Sequence, residues 1–301
     1  MTSLIETAGL TKYYGRRRGL AGLDLEVRQG EVYGFLGPNG AGKTTTIRIL
    51  LDLIRPTSGR ATVLGEVPRA GGPALRRRLG YLPGDFTVMG DQTGRELLTH
   101  LASLRGGVLA SHIDDLAGRF DLDLSTKIRS LSKGNRQKVG VVQAFMHEPE
   151  LLILDEPTSG LDPILQQRFL ALLSEVRRNG QTVFMSSHVL SEVQQSADRV
   201  GIVRDGRLVA VEAVDTLRRR AVRRAEVHFD EPPPADAFRD VPDVLDVDLD
   251  GPTLRCRLAG RPDALIKALG RYSIASITIE EPDLEELFFV YYRGEEAVDA
   301  A

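Results

Sequence analysis

The chain has 301 residues, 42% apolar and 27% charged, with a net charge of −3. Its longest stretch without Asp, Glu, Lys or Arg is Asn179 to Ser191, 13 residues. A membrane-spanning helix needs about 20 mostly apolar residues, so no segment is expected to cross a bilayer alone. The near-balanced charge argues against a general nucleic-acid binder, and the length suits one large domain with an appendage.

Met1–Glu6 carries neither a basic nor an apolar leader region, so no secretory signal is expected. The single cysteine, Cys256, cannot form an internal disulfide and fits a reducing compartment. Charge is unevenly spread: from Arg223 onward the net is −9, against +6 before it. The shift coincides with the arginines of 218–224 and with Pro232–Pro234. It predicts a main domain over 1–222 and a small C-terminal domain over 223–301.

In chain order, Leu23–Val27 alternates, Gln29-Gly30 turns, and Glu31–Leu36 reads as an apolar strand. Gly37-Pro38-Asn39-Gly40-Ala41-Gly42-Lys43-Thr44 follows, matching G-x-x-x-x-G-K-[ST], and leads into a helical pattern over Thr44–Leu53. Glycines there let backbone N–H groups turn around phosphate oxygens, and the helix N-terminus adds its positive end. Lys43 is expected at the β- and γ-phosphates, Thr44 at Mg²⁺ and Thr45 at the α-phosphate. Helical patterns then cover Thr93–Leu104, Ile113–Phe120 and Asn135–Met146, with Leu131-Ser132-Lys133-Gly134-Asn135 opening the last.

Leu151–Leu154 is a fully apolar run ended by Asp155 and Glu156, as in a buried parallel strand. Such a strand delivers its two acids to the sheet edge where phosphate loops sit. Asp155 is expected to hold Mg²⁺, directly or through water, and Glu156 to orient or deprotonate an attacking water. Ser159-Gly160-Leu161-Asp162 follows, then a helix over Pro163–Arg178, a strand over Thr182–Ser186 and a helix over Val189–Ser196. His188 lies 32 positions beyond Glu156. Arg199–Val203 and Arg207–Val211 flank Asp205-Gly206 as a hairpin. The tail reads as strands Ala225–Phe229, Val244–Leu249 and Thr253–Leu258, helix Asp263–Leu269, strand Ile274–Glu280 and helix Leu284–Tyr292.

In this order the motifs resemble the nucleotide-binding subunits of ATP-binding cassette (ABC) transporters, over roughly residues 4–222. The resemblance implies an α/β P-loop NTPase (RecA-like) core with an antiparallel β subdomain and an α-helical signature subdomain at about 86–146. A small α+β domain follows. It implies an ATPase working as a head-to-tail homodimer, or a heterodimer with a related cassette. Each ATP would lie between the phosphate loop, Asp155, Glu156 and His188 of one subunit and Ser132, Lys133, Gly134 and Asn135 of the other. Ser159 and Asp162 fall in the loop that communicates across that interface. Tyr14 matches the family's adenine-stacking aromatic, with Tyr13 beside it as the alternative. One departure stands out: the family's Gln in the loop Leu79–Asp85 falls at Gly84. Asp85 is the residue expected to take part of its role at Mg²⁺ or the attacking water.

Three features are similar to drug and antibiotic exporter ATPases: the Leu-Ser-Lys-Gly signature, the Tyr-Leu-Pro-Gly loop, and the closing motif Glu281–Tyr292. They imply export through a separate transmembrane permease, with the chain on the cytoplasmic face of the membrane and no nucleic-acid partner. Three other readings compete with this one. A soluble ABC ATPase of translation or DNA repair would bring two cassettes or a long coiled coil, whereas this chain has one phosphate loop, with Ser132 only 89 positions beyond Lys43. An importer ATPase would share the cassette without the tail. A P-loop kinase or GTPase leaves Leu131–Asn135 and His188 without roles.

Overall fold

The computed structural model describes residues 2–88, 90–220, 222–259 and 261–280. The expected helix Leu284–Tyr292 and the motif Glu281–Tyr292 lie outside them. Two compact units follow one another, Met1–Val211 and a second beginning at Glu212. Among the described residues, no helix is long and apolar enough to cross a membrane.

The first unit opens with β1 (Ser3–Tyr14), β2 (Arg17–Arg28), β3 (Val32–Leu36), α1 (Lys43–Leu50), β4 (Ser58–Val63), α2 (Pro68–Arg77) and β5 (Leu79–Leu82). It continues through α3 (Gly94–Leu104), α4 (Ala110–Arg119), α5 (Lys133–Phe145), β6 (Leu151–Asp155), α6 (Pro163–Arg178), β7 (Thr182–Ser187), α7 (Leu190–Ser196), β8 (Arg199–Arg204) and β9 (Arg207–Ala213). A six-stranded sheet has the order β5-β6-β7-β3-β8-β9, and its first five strands pair in parallel. β3, β6 and β7 are buried at every position. That is why their sequences read as unbroken apolar runs: helices cover both faces of such a sheet.

A three-stranded antiparallel sheet, β2-β1-β4, packs Ile5, Leu10, Leu23, Leu25 and Val27 against Phe35, Ile47 and Leu50 of the β3–α1 segment. On the other face, α3, α4 and α5 share a core with α6 through Leu98, Phe120, Val142, Phe145 and Phe169. Thr93 starts α3 with a capping box, its hydroxyl accepting from Glu96 N while the Glu96 carboxylate accepts from Thr93 N. β1, β4, α2 and β5 are absent from the expected elements. β1 and β2 pair through several register shifts, which break the period-2 signal that marks a strand.

The second unit contains α8 (Val214–Arg220), β10 (Val222–Phe229), β11 (Val244–Asp250), β12 (Thr253–Ala259), α9 (Asp263–Leu269) and β13 (Ile274–Ile279). Its sheet is antiparallel, in the order β11-β12-β10-β13. One face buries Val227, Phe229, Leu254 and Leu258 with Phe238 and with Leu265 and Leu269 of α9. Cys256 lies in this core, where burial pushes its thiol pKa up to about 11. A thiol held that high is inert.

Candidate functional site

The loop between β3 and α1 is anchored from several sides. Gly37 N donates to Ser187 O at 3.2 Å, Gly206 N donates to Ala41 O at 2.9 Å, and Thr46 Oγ1 donates back to Gly42 O at 3.0 Å. Two glycines here are dictated by space. A Cβ on Gly37 would lie 2.4 Å from Val203 O, and one on Gly42 would lie 2.9 Å from Gly19 O at a φ of +112°. The loop feeds α1 with no acidic residue in its first turn, so the helix N-terminus keeps its positive potential for an anion.

An open cleft of about 340 Å³ lies over this loop. Asn39, Gly40, Gly42, Lys43, Thr44 and Thr45 line its floor, Glu156 lines one wall, and Tyr14 lines another. Tyr14 Oη is 3.5 Å from Thr45 Oγ1, and Lys12 Nζ stands 5.3 Å above the Tyr14 ring. Tyr13 does not line the cleft. Arg17, Arg18 and Arg48 do; motif reading passed over all three, because no fixed spacing marks them.

Lys43 is 5% exposed, and its Nζ donates to Gly37 O at 2.6 Å and to Pro38 O at 3.3 Å. The same ammonium is 3.4 Å from Glu156 Oε1, and His188 Nδ1 is 3.3 Å from that oxygen. Glu156 has a φ of +47°. A non-glycine residue held there is strained by about 1 kcal/mol or more, a cost seen mainly at working sites. The turn is tied down by Glu156 N, which donates to Ser186 O at 3.1 Å.

Asp155 ends β6, 3% exposed, and does not line the cleft. Its Oδ1 accepts from Ser186 Oγ at 2.5 Å. Gly84 abuts it: a Cβ on Gly84 would lie 3.2 Å from Asp155 O and 3.7 Å from Oδ2. The neighbouring Asp85 is exposed. Glu192, from α7, accepts from Thr158 Oγ1 at 2.5 Å and from Ser187 Oγ at 2.9 Å. It thereby joins the loop after Glu156 to the strand end before His188. Among the described residues, no group of three or more His, Cys, Asp or Glu forms a metal cage.

The signature residues stand apart from the cleft within one chain. Ser132 caps α5, its Oγ accepting from Asn135 N at 3.2 Å. A Cβ on Gly134 would lie 3.0 Å from Gly160 O, so the first turn of α5 sits against the Ser159-Gly160 segment. Gln137 Nε2, one turn on, donates to Pro157 O at 3.1 Å. Asp162 caps α6 through Ile164 N and Leu165 N, both at 3.0 Å. At the start of α5, Lys133 is exposed and Asn135 half-buried, and neither lines the cleft.

A phosphate loop on a parallel sheet, with an acid-tipped strand beside it, defines a P-loop nucleotide triphosphatase. The ABC transporter family model matches residues 20–159. The bacitracin transport ATP-binding protein BcrA of Bacillus licheniformis is 42% identical over 226 residues, covering 73% of each chain. A fluoroquinolones export ATP-binding protein of Mycobacterium tuberculosis is 36% identical, covering 76% of this chain and 77% of its own. A solved ATP-binding subunit of an ABC transporter superposes with a TM-score of 0.66 at 32% identity, over 72% of this chain and 92% of that one. The chain belongs to the ATP-binding subunits of ABC transporters. It binds ATP and hydrolyses it to power transport.

Proposed function

We propose that the transport is export of a drug, an antibiotic or another lipophilic compound through a separate transmembrane permease. The chain works as a cassette dimer on the cytoplasmic face of the membrane. Support comes from relatives named for bacitracin transport, fluoroquinolone export and daunorubicin resistance. The observation that carries the dimer is the separation of parts. The cleft holds the phosphate loop and Glu156, while the N-terminus of α5 with Ser132 lies elsewhere on the same chain. A second copy, arranged head to tail, would bring Ser132, Lys133, Gly134 and Asn135 onto the exposed side of the ATP, where a hydroxyl and a helix N-terminus suit the γ-phosphate. Ser159 and Asp162 would then face the partner across the interface.

Within a site, Tyr14 stacks on the base, residues Gly37 to Thr45 wrap the phosphates and Lys43 neutralises them. Glu156 accepts the proton of the attacking water, and His188 holds the γ-phosphate and Glu156 together. The donor set fits Mg²⁺, which takes few protein oxygens and keeps waters and phosphates as its other ligands. Thr44 and Asp155 would hold it, and the ion would neutralise charge developing on the phosphates. Asp85, next to Gly84, is assigned a share in that coordination. The small C-terminal domain, expected over 223–301, is read as a support for the dimer. The direct test of export is co-expression with a candidate transmembrane permease. Raised drug resistance and lowered cellular drug content are expected; ATP-dependent uptake instead would identify an importer.

A further inference from the structure

We propose that Ser186 is a positioning residue for ATP hydrolysis, one hydroxyl that fixes both the Asp155 carboxylate and the Glu156 turn. β7 buries Val183, Phe184 and Met185 and then, unexpectedly for an inner strand, Ser186 and Ser187, with Ser186 fully buried. A hydroxyl in such a place needs partners, and its two partners are the two acids of the site. β6 and β7 run parallel with Asp155 paired to Ser186, so both side chains project from the same face of the sheet. Ser186 Oγ donates to Asp155 Oδ1 at 2.5 Å and accepts from Glu156 N at 3.2 Å.

The bond to a carboxylate is charge-assisted, the stronger and more directional kind. It occupies Oδ1, while Oδ2 lies toward Gly84, 3.7 Å from where a Cβ on that residue would stand. A carboxylate held by one oxygen presents the other in a fixed direction, which is how outer-shell groups tune a ligand. The same hydroxyl steadies the backbone at Glu156, whose φ is +47° and whose Oε1 lies beside both Lys43 and His188. Ser187 has different duties, on Glu192 and Val189, so of the two serines it is Ser186 that bridges the acids. The proposal rests on the assignment of Asp155 to Mg²⁺.

The test uses the full-length chain and a fluorescent ATP analogue, titrated with Mg²⁺ and separately in EDTA. The matched pair is Ser186→Thr and Ser186→Val, equal in shape and differing in the hydroxyl. Relative to Thr, Val is expected to raise the Mg²⁺ midpoint and lower kcat by about 10-fold, the low end for outer-shell changes. Affinity in EDTA should stay within about twofold, below what a lost hydrogen bond would cost. Ser186→Ala should behave like Val; it orphans no backbone group, because Glu156 N keeps Ser186 O. Equal Mg²⁺ midpoints for Thr and Val, or equal losses with and without Mg²⁺, overturn the proposal. Asp155→Asn separates the two readings. If it raises the midpoint while Val does not, the Ser186 role alone fails. If it leaves the midpoint unchanged, the metal assignment of Asp155 fails and this proposal with it.

Discussion

Glu156 Oε1 lies 3.3 Å from His188 Nδ1 and 3.4 Å from Lys43 Nζ, so one carboxylate oxygen faces both nitrogens. Glu156→Gln keeps the shape and removes the base. Hydrolysis is expected to fall by about 10²–10⁴-fold, the usual worth of a general base. ATP binding should persist, and size-exclusion chromatography with ATP should reveal a trapped dimer. Normal steady-state turnover would rule out Glu156 as the base.

Lys43 crosses the phosphate loop to reach the carbonyls of Gly37 and Pro38. Lys43→Ala removes both the loop brace and the phosphate charge. Charge-assisted bonds are worth up to about 3 kcal/mol, so ATP affinity by equilibrium dialysis should drop on the order of a hundredfold. Affinity within a few-fold of the parent would contradict its place at the phosphates.

At Gly42, backbone conformation and space act together. An alanine there would set a methyl 2.7 Å from Leu20 Cδ2 and 2.9 Å from Gly19 O, at a φ of +112°. The leucine can move, but the carbonyl belongs to β2 and cannot. Gly42→Ala is expected to lower both the melting temperature and ATP affinity, with strain of about 1–3 kcal/mol. A crystal structure with an unshifted loop would show that the contact is relieved elsewhere.

Position 85 tests the missing glutamine. Gly84, not Asp85, packs on Asp155, yet Asp85 is the adjacent carboxylate. Asp85→Ala should slow hydrolysis while leaving ATP binding intact. Unchanged turnover would leave the metal and water without a side chain from this loop.

His147 supplies a pH dependence away from the site. Its Nε2 lies 2.6 Å from Arg105 Nη1, which also donates to Leu79 O at 2.8 Å. Burial first, and Arg105 second, push the imidazole from 6.5 down to about 4. Because the folded value lies below the unfolded one, the unfolded chain takes up the proton first. This contribution to stability is therefore full above about pH 6.5 and is lost as pH falls toward 4. Calorimetric scans should show a steeper fall of Tm over that window for the parent than for His147→Gln. Parallel slopes would mean that the histidine titrates normally.

Much of the site was legible in residue order. The run from Gly37 to Thr44 and the acid tip at Asp155-Glu156 carry their own chemistry. Their strands are buried on both faces, so the sequence there is apolar without interruption. β1 escaped detection because its register with β2 shifts repeatedly, and β5 because four residues give too little periodicity. Arg17, Arg18 and Arg48 escaped because only folding brings them to the cleft.

By itself, the order of residues determined the cassette, its nucleotide and the two acids at the end of β6, because phosphate binding and strand burial are local demands on neighbouring residues. Only the tertiary structure decided that Ser186 bridges Asp155 and Glu156, that Glu192 ties Thr158 to Ser187, and that Tyr14 rather than Tyr13 lines the cleft. Apart from the Glu192–Ser187 bond, those contacts depend on strand register and helix placement across 30 residues or more of chain. No spacing rule encodes them, because a hydroxyl meets a carboxylate there only once the parallel sheet has set both on one face.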